Sequence, residues 1–347
     1  MEIEKENFNE FSDKGLTGLA NCGNSCYLNS CLQVLSHTYE LNLFLNKDEY
    51  KKKLNKISDS VLLLEWDKLR ELMWSDNCTI APWGFFKSVQ KVAVLKDREL
   101  FSGYAQNDVQ EFLLFLIETF HNSIAREVEM VIKGNVVNST DKLAKTCYQM
   151  MKNMYKKEYS EFLDLFYGIH MSVISCSKTG ENLSIHPEPF SVLSLPIPEQ
   201  KNVSLMDCLD LYCKQELLEG DNAWYNEKTK SLQDVKKGII FWSLPNILII
   251  DLKRWNYNGR KNNILIDIPL STVDMSKYVY GYKKSSYKYE LYGVCNHMGC
   301  SQGGHYTASV KNANKNWYLY NDTNVDLLEE KNVISNQSYC LFFRKIK

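Results

Sequence analysis

The chain has 347 residues, of which 44% are hydrophobic and 24% charged, with a formal net charge of −1. This composition excludes a disordered chain, and the balanced charge supplies no global positive field for nucleic acid. The length allows one large domain or two smaller ones, with ample material for a core.

Residues 1–14 are polar and charged and read as a short N-terminal tail without the apolar core of a signal peptide. No run of about 18 apolar residues occurs, so no membrane-spanning helix is expected. The eleven cysteines are odd in number and dispersed, which predicts free thiols in a reducing intracellular setting, cytoplasm or nucleus. No C-x-x-C occurs and the histidines do not pair four apart, so no locally built metal site is expected.

Residues 15–36, GLTGLANCGNSCYLNSCLQVLS, predict a Gly- and Asn-rich turn running into a helix. Leu28, Leu32 and Leu35 share one face, and Asn24 or Ser25 can cap the start. Cys26 then lies in the first turn, where free N–H groups favour thiolate over thiol. Residues 59–74 predict a helix with Val61, Leu64, Leu69, Leu72 and Met73 as its apolar positions, and Pro82 breaks the chain before the next segment. Residues 104–123 predict a strong helix with Val109, Phe112, Leu113, Leu116 and Phe120 as its stripe. Asp108 and Glu111 lie three apart in its first turns, where acidic groups ordinarily complement the dipole.

Residues 140–166 form a second, Lys-rich amphipathic region. From 168 to 255 the runs are short and β-rich, with a helix predicted over 203–217, and the last 60 residues again alternate as strands. A helical N-terminal part followed by a β-rich remainder predicts an α+β fold with segregated layers.

A nucleophile at Cys26 needs a base. His305 lies in GGHYTASV, where two glycines precede a strand and let an extended substrate come close. Twelve residues on, the strand WYLYND ends in Asn321 and Asp322. A turn between the strands would pair them antiparallel, and either residue could then meet the Nδ1–H of His305. This Cys–His–Asn/Asp set suits acyl transfer, with Asn21 as a side-chain donor for an oxyanion.

The segment GLTGLANCGNSCYLNSCLQVL resembles the Cys box of the ubiquitin-specific proteases, papain-like cysteine deubiquitinating enzymes. YELYGVCNHMGCSQGGHYTASV, NWYLYNDTNV and SYCLFFRK are similar to the family's His box. AQNDVQEFLLFLIE resembles its Gln-Asp-Glu motif, LPNILIIDLKRW its Leu-Pro…Leu-Lys-Arg strand, and FSVLSLPIP with VSLMDCLDLYCKQELLEG also fits. The matches run in family order from about residue 15 to residue 345.

The resemblance implies a thumb–palm–fingers architecture in one catalytic domain over 15–346. The helical thumb would cover about 15–125, the fingers about 168–240 and the β-rich palm about 241–346. It implies Cys26 as nucleophile, His305 as base and then acid, Asn321 as orienter with Asp322 sharing that role, and Asn21 in the oxyanion hole. Asp108 and Glu111 would hold the arginines of ubiquitin's tail. Gly303, Gly304 and Tyr306 would line the channel for its Gly-Gly end, and His297 would sit on a loop near the cleft.

The implied activity is hydrolysis of the peptide or isopeptide bond after ubiquitin's last glycine, through a thioester. The implied partners are ubiquitin and ubiquitinated proteins, with no nucleic acid or membrane and a monomeric chain. The alternatives are a ubiquitin-binding module with weak catalysis, or a protease for a ubiquitin-like modifier. Many members hold zinc in the fingers with two C-x-x-C pairs. Here those positions read Cys176-Ser177-Lys178-Thr179 and Tyr225-Asn226-Glu227-Lys228. One ligand of four survives, so neither zinc nor another cofactor is expected.

Overall fold

A computed structural model describes residues 8–300 and 303–346. The helix Cys26–Ser36 is buried along its whole length, including its polar residues Asn29, Ser30 and Gln33. It runs through the core between the other N-terminal helices and a large sheet. Tertiary packing therefore stabilises it, and its start needs no side-chain cap. Ser25 stands at the cap position, but its Oγ accepts from Cys22 N–H at 2.7 Å instead. Asn24 has φ +56° and donates to the Tyr104 carbonyl at 3.0 Å. Neither residue caps the helix, contrary to expectation.

Helices Ser58–Ser75, Trp83–Leu95 and Val109–Ile124 pack together around Trp66, Phe85 and Phe112. The first buries Leu62, Leu63, Trp66, Leu69 and Met73, whereas Val61 and Leu72 are exposed. Its inward face is thus rotated from the predicted one, because bulky Trp66 sets the contact. The helix Trp83–Leu95, starting directly after Pro82, is an addition to the predicted elements. Val109–Ile124 buries its predicted stripe entirely, with Asp108 as its cap, Oδ1 accepting from Gln110 N–H at 2.7 Å. The region 140–166 divides into helices Ser139–Tyr155 and Glu161–Phe166. Residues 8–14 do more than trail from the domain: Phe11 is buried and stacks on Tyr39 at 4.7 Å.

The large sheet places Asn324–Leu328 at one edge, followed by Trp317–Asn321, Gly303–Lys311, Lys288–Cys300, Ser338–Lys345, Ile247–Leu252 and Val192–Leu195. Only the last pair is parallel on this path. Val192–Leu195, inside the stretch expected to be fingers, therefore belongs to the large sheet. A separate four-stranded sheet carries Asn182–Phe190, Gly168–Cys176, Val235–Ser243 and Glu216–Leu218 in that order. Its strands pair through their backbones. The predicted helix over 203–217 is shorter, Leu205–Cys213, and 216–218 joins this sheet as a strand.

Two strand assignments differ from expectation. His297 lies within the strand Lys288–Cys300, buried and paired with Tyr306, and not on a loop. Gly303 and Gly304 already belong to the His305 strand, opposite Cys300 and Gly299. The hairpin pairing is continuous up to that point.

Candidate active site

A short parallel pair, Gly18–Leu19 with Thr79–Ile80, delivers the chain to the nucleophile loop. Gly18 is required by close approach, since a Cβ there would stand 2.1 Å from the Thr323 carbonyl oxygen. The loop is then folded by Asn21, whose Oδ1 accepts from Gly23 N–H at 3.0 Å and Ser25 N–H at 3.1 Å. Its Nδ2 donates to Asp322 Oδ2 at 3.0 Å, and Asn29 Nδ2 donates to Asp322 Oδ1 at 2.8 Å. Asp322, at φ +49°, also accepts Leu19 N–H on its carbonyl at 2.8 Å.

Cys26 is the first residue of its helix and 1% exposed. Burial pushes its thiol up, and the Asp322 charge adds to this. The backbone N–H groups of Tyr306, Tyr27 and Cys26 itself pull the other way but do not win. The thiolate expected at a helix start is therefore not the favoured form.

The His305 strand packs directly on the Cys26 helix. Pairing of Ala308 with Tyr320 brings the end of the next strand to His305. There His305 Nε2 lies 2.7 Å from Asn321 Oδ1. An amide oxygen only accepts, so Nε2 carries the proton and Nδ1 keeps the lone pair. The roles of the two nitrogens are the reverse of those expected. Asp322, the other expected partner of the imidazole, has its carboxylate spent on Asn21 and Asn29. Among the described residues Asn321 is the side chain bonded to the ring, while the Asp322 carboxylate is bonded to Asn21 and Asn29.

Beside these residues lies a cavity of about 660 Å³, walled by Asn24, Gln106, Asp108, Trp255, His297 and Tyr306, with Gly303 and Gly304 on its rim. Gly304 is tight: a Cβ would meet His297 Nε2 and the Met298 carbonyl oxygen, each at 2.4 Å. Lys261 Nζ donates to His297 Nδ1 at 3.0 Å and to its carbonyl. Burial and the Lys261 charge hold His297 down to about 4, leaving a neutral ring with its proton on Nε2. Burial and Arg254 lower Lys261 to about 8.

Asp108 Oδ2 accepts from Tyr339 Oη at 2.6 Å and from Tyr306 Oη at 3.5 Å. Its helix-capping role and its place in the cleft wall coexist. Glu111 is separated from it: exposed, it lines a neighbouring cavity of about 420 Å³ with Arg98, Leu114 and Tyr167. Gln106, Tyr339 and Lys261 are absent from the residues expected by sequence; Tyr339 and Lys261 reach the cleft only through tertiary contacts, whereas Gln106 lies two residues before Asp108 in the segment AQNDVQEF, whose motif could have found it. Among the described residues no group of three or more His, Cys, Asp or Glu is placed to hold a metal, and no helix is long and apolar enough to cross a membrane.

A thiol at the start of a central helix, packed against a strand whose imidazole is held by an asparagine, is the arrangement of the papain-like cysteine peptidase class. The family model described as "Ubiquitin carboxyl-terminal hydrolase" matches residues 17–343. The chain belongs to this family, and its fold is the thumb–palm–fingers fold of ubiquitin-specific protease catalytic domains. Ubiquitin carboxyl-terminal hydrolase Usp2 of Drosophila melanogaster is 34% identical over 339 residues, covering 96% of this chain and 35% of the relative. Human ubiquitin carboxyl-terminal hydrolase 2 is 32% identical over 351 residues, covering 98% of this chain and 56% of the relative. The chain thus spans about a third to about half the length of these relatives. Among solved structures, the SAGA Ubp8/Sgf11/Sus1/Sgf73 DUB module bound to ubiquitin aldehyde superposes with a TM-score of 0.73 at 24% identity, covering 100% of this chain and 72% of that one.

Proposed function

We propose that this chain is a thiol-dependent deubiquitinase that hydrolyses the bond after ubiquitin's terminal glycine. The observation that carries this reading is the 2.7 Å His305–Asn321 pair on the strand that packs against Cys26. Nδ1 of His305 takes the Cys26 proton, and the sulfur attacks the glycine carbonyl carbon. The Cys26 backbone N–H and the Asn21 amide stabilise the oxyanion. Collapse expels the amine, which takes the proton from His305, and leaves a thioester. Water then attacks the thioester with His305 as base, releasing ubiquitin's carboxylate and restoring the thiol. The raised thiol is consistent with a centre that ionises once substrate has entered and His305 can stabilise the ion pair.

Asp108 receives a tail arginine as a charge-assisted pair, and Glu111 in the adjoining cavity meets a more distant basic group. Gly303, Gly304, Tyr306 and the Nε2–H of His297 line the passage for the Gly-Gly end. Residues to about 125 serve as thumb, the four-stranded sheet as fingers and the large sheet as palm. The chain acts as a monomer on ubiquitinated proteins, without zinc. Its eleven free thiols favour a reducing compartment inside the cell. Release of a fluorophore from the ubiquitin C-terminus tests the reading: turnover lost in His305→Ala supports it, and turnover equal to wild type contradicts it.

A further inference from the structure

The strand Ile247–Leu252 is buried throughout, yet it contains one carboxyl, Asp251, only 7% exposed. Alternation decides where that carboxyl points. Leu248, Ile250 and Leu252 face the palm core, whereas Ile247 and Ile249 face the helical half. Asp251 shares the second face, on the side of Asp108. Its Cα neighbours are Cys340 on one flanking strand and Ser194 on the other. Its Oδ1 is buried and has no hydrogen-bond partner. A buried carboxylate oxygen without a donor is costly, unless the group is protonated or a cation arrives.

We propose that Asp251 is a second carboxyl of the tail-binding site, protonated in the empty cleft and ionised when a guanidinium docks at Asp108, with one proton released to solvent. This rests on the deubiquitinase reading above and adds to it a proton-coupled form of tail capture. Burial first, and then the Asp108 charge, raise the Asp251 carboxyl to about 7. The groups facing it are Asp108 from the helix start, Tyr339 and Cys340 from the neighbouring strand, Ser194 from the other, and Lys253 just past the end of its own strand; the Ser194 hydroxyl and the Lys253 charge pull the carboxyl down but do not win. The Tyr339 hydroxyl is bonded to Asp108, and burial first and then the Asp108 charge raise it. A guanidinium at Asp108 cancels the Asp108 charge and supplies a positive one, so both changes favour ionised Asp251. Binding should therefore strengthen as pH rises through neutrality, by at most about tenfold per pH unit for one released proton.

The test is calorimetric titration of wild type and Asp251→Asn with ubiquitin, in buffers of different ionisation enthalpy at pH 6.5 and 8.5. Wild type should release about 0.7 proton more than the variant at pH 6.5 and no more than the variant at pH 8.5. Its affinity should gain roughly five- to tenfold between pH 6 and 8 relative to the variant. His297, Lys261 and His305 are common to both proteins, so the difference isolates Asp251. Ubiquitin with its tail arginines changed to glutamine should bind wild type without this proton release. Equal release from both proteins, or none from wild type at pH 6.5, overturns the proposal, and the wild-type measurement decides even if the variant folds poorly. Wild type that fails to react with a C-terminal electrophilic ubiquitin overturns the underlying reading as well. Reaction without proton linkage overturns this proposal alone.

Discussion

Gln106 and Gly304 pair across the cleft through two hydrogen bonds of 2.7 Å each, the side-chain amide matching the peptide N–H and C=O. The segment before the helix Val109–Ile124 thereby holds the residue next to His305. Each such bond contributes on the order of 1 kcal/mol. Gln106→Ala should lower kcat/KM for a ubiquitin substrate about tenfold, and Gln106→Glu more, because a carboxylate would face the Gly304 carbonyl. Steady-state kinetics check this, and wild-type values in both variants would contradict it.

Asn321 and Asp322 are adjacent but brace different parts of the centre. Asn321→Ala removes the partner of His305 Nε2 and should cut kcat about 100-fold. Asp322→Ala releases Asn21 and Asn29 and should cost about 100- to 1000-fold through the oxyanion hole. Alkylation of Cys26 by iodoacetamide separates them. Asp322→Ala should keep a rate at or above wild type, since its charge opposes the thiolate, whereas Asn321→Ala should be slower.

His37 is fully buried and tied to the Gln33 carbonyl at 2.9 Å and the Tyr320 hydroxyl at 3.1 Å. Burial lowers it to about 4, below the ordinary 6.5 that it regains on unfolding. The unfolded chain therefore binds the proton first as pH falls. Stability is complete above about pH 6.5 and is lost down to about pH 4, by up to about 3 kcal/mol. Chemical denaturation at pH 7, 5.5 and 4.5 should show this decline, and His37→Gln should flatten it.

The fingers sheet holds itself by backbone pairing, and three of the four family zinc positions are Thr179, Tyr225 and Lys228. Chelator treatment should leave both the thermal midpoint and ubiquitin hydrolysis unchanged, and Cys176→Ser should behave as wild type. One zinc per chain by elemental analysis, or unfolding on chelation, would contradict this.

Cys26, His305 and Asn321 are legible in the sequence because short local patterns surround each: a turn into a helix, glycines before a strand, and a polar end to the next strand. The stripe of Val109–Ile124 is legible for the same reason. The features hidden from the sequence depend on contacts between distant segments. Which nitrogen of His305 meets Asn321, and whether Asp322 turns toward the imidazole or toward Asn21, are set by strand register and by the φ of Asp322. The rotated face of Ser58–Ser75 follows from Trp66, whose bulk a count of apolar positions does not weigh. Asp251 carries a visible signal, one carboxylate in the run ILIIDL, but its neighbour Asp108 lies 143 positions away along the chain.

The most direct measurement is the reaction of wild type and Cys26→Ala with ubiquitin bearing a C-terminal electrophile, read by intact mass and peptide mapping. One covalent ubiquitin on wild type, mapped to Cys26, and none on the variant is the predicted result. No adduct on wild type, or an adduct that persists without the Cys26 thiol, would contradict it.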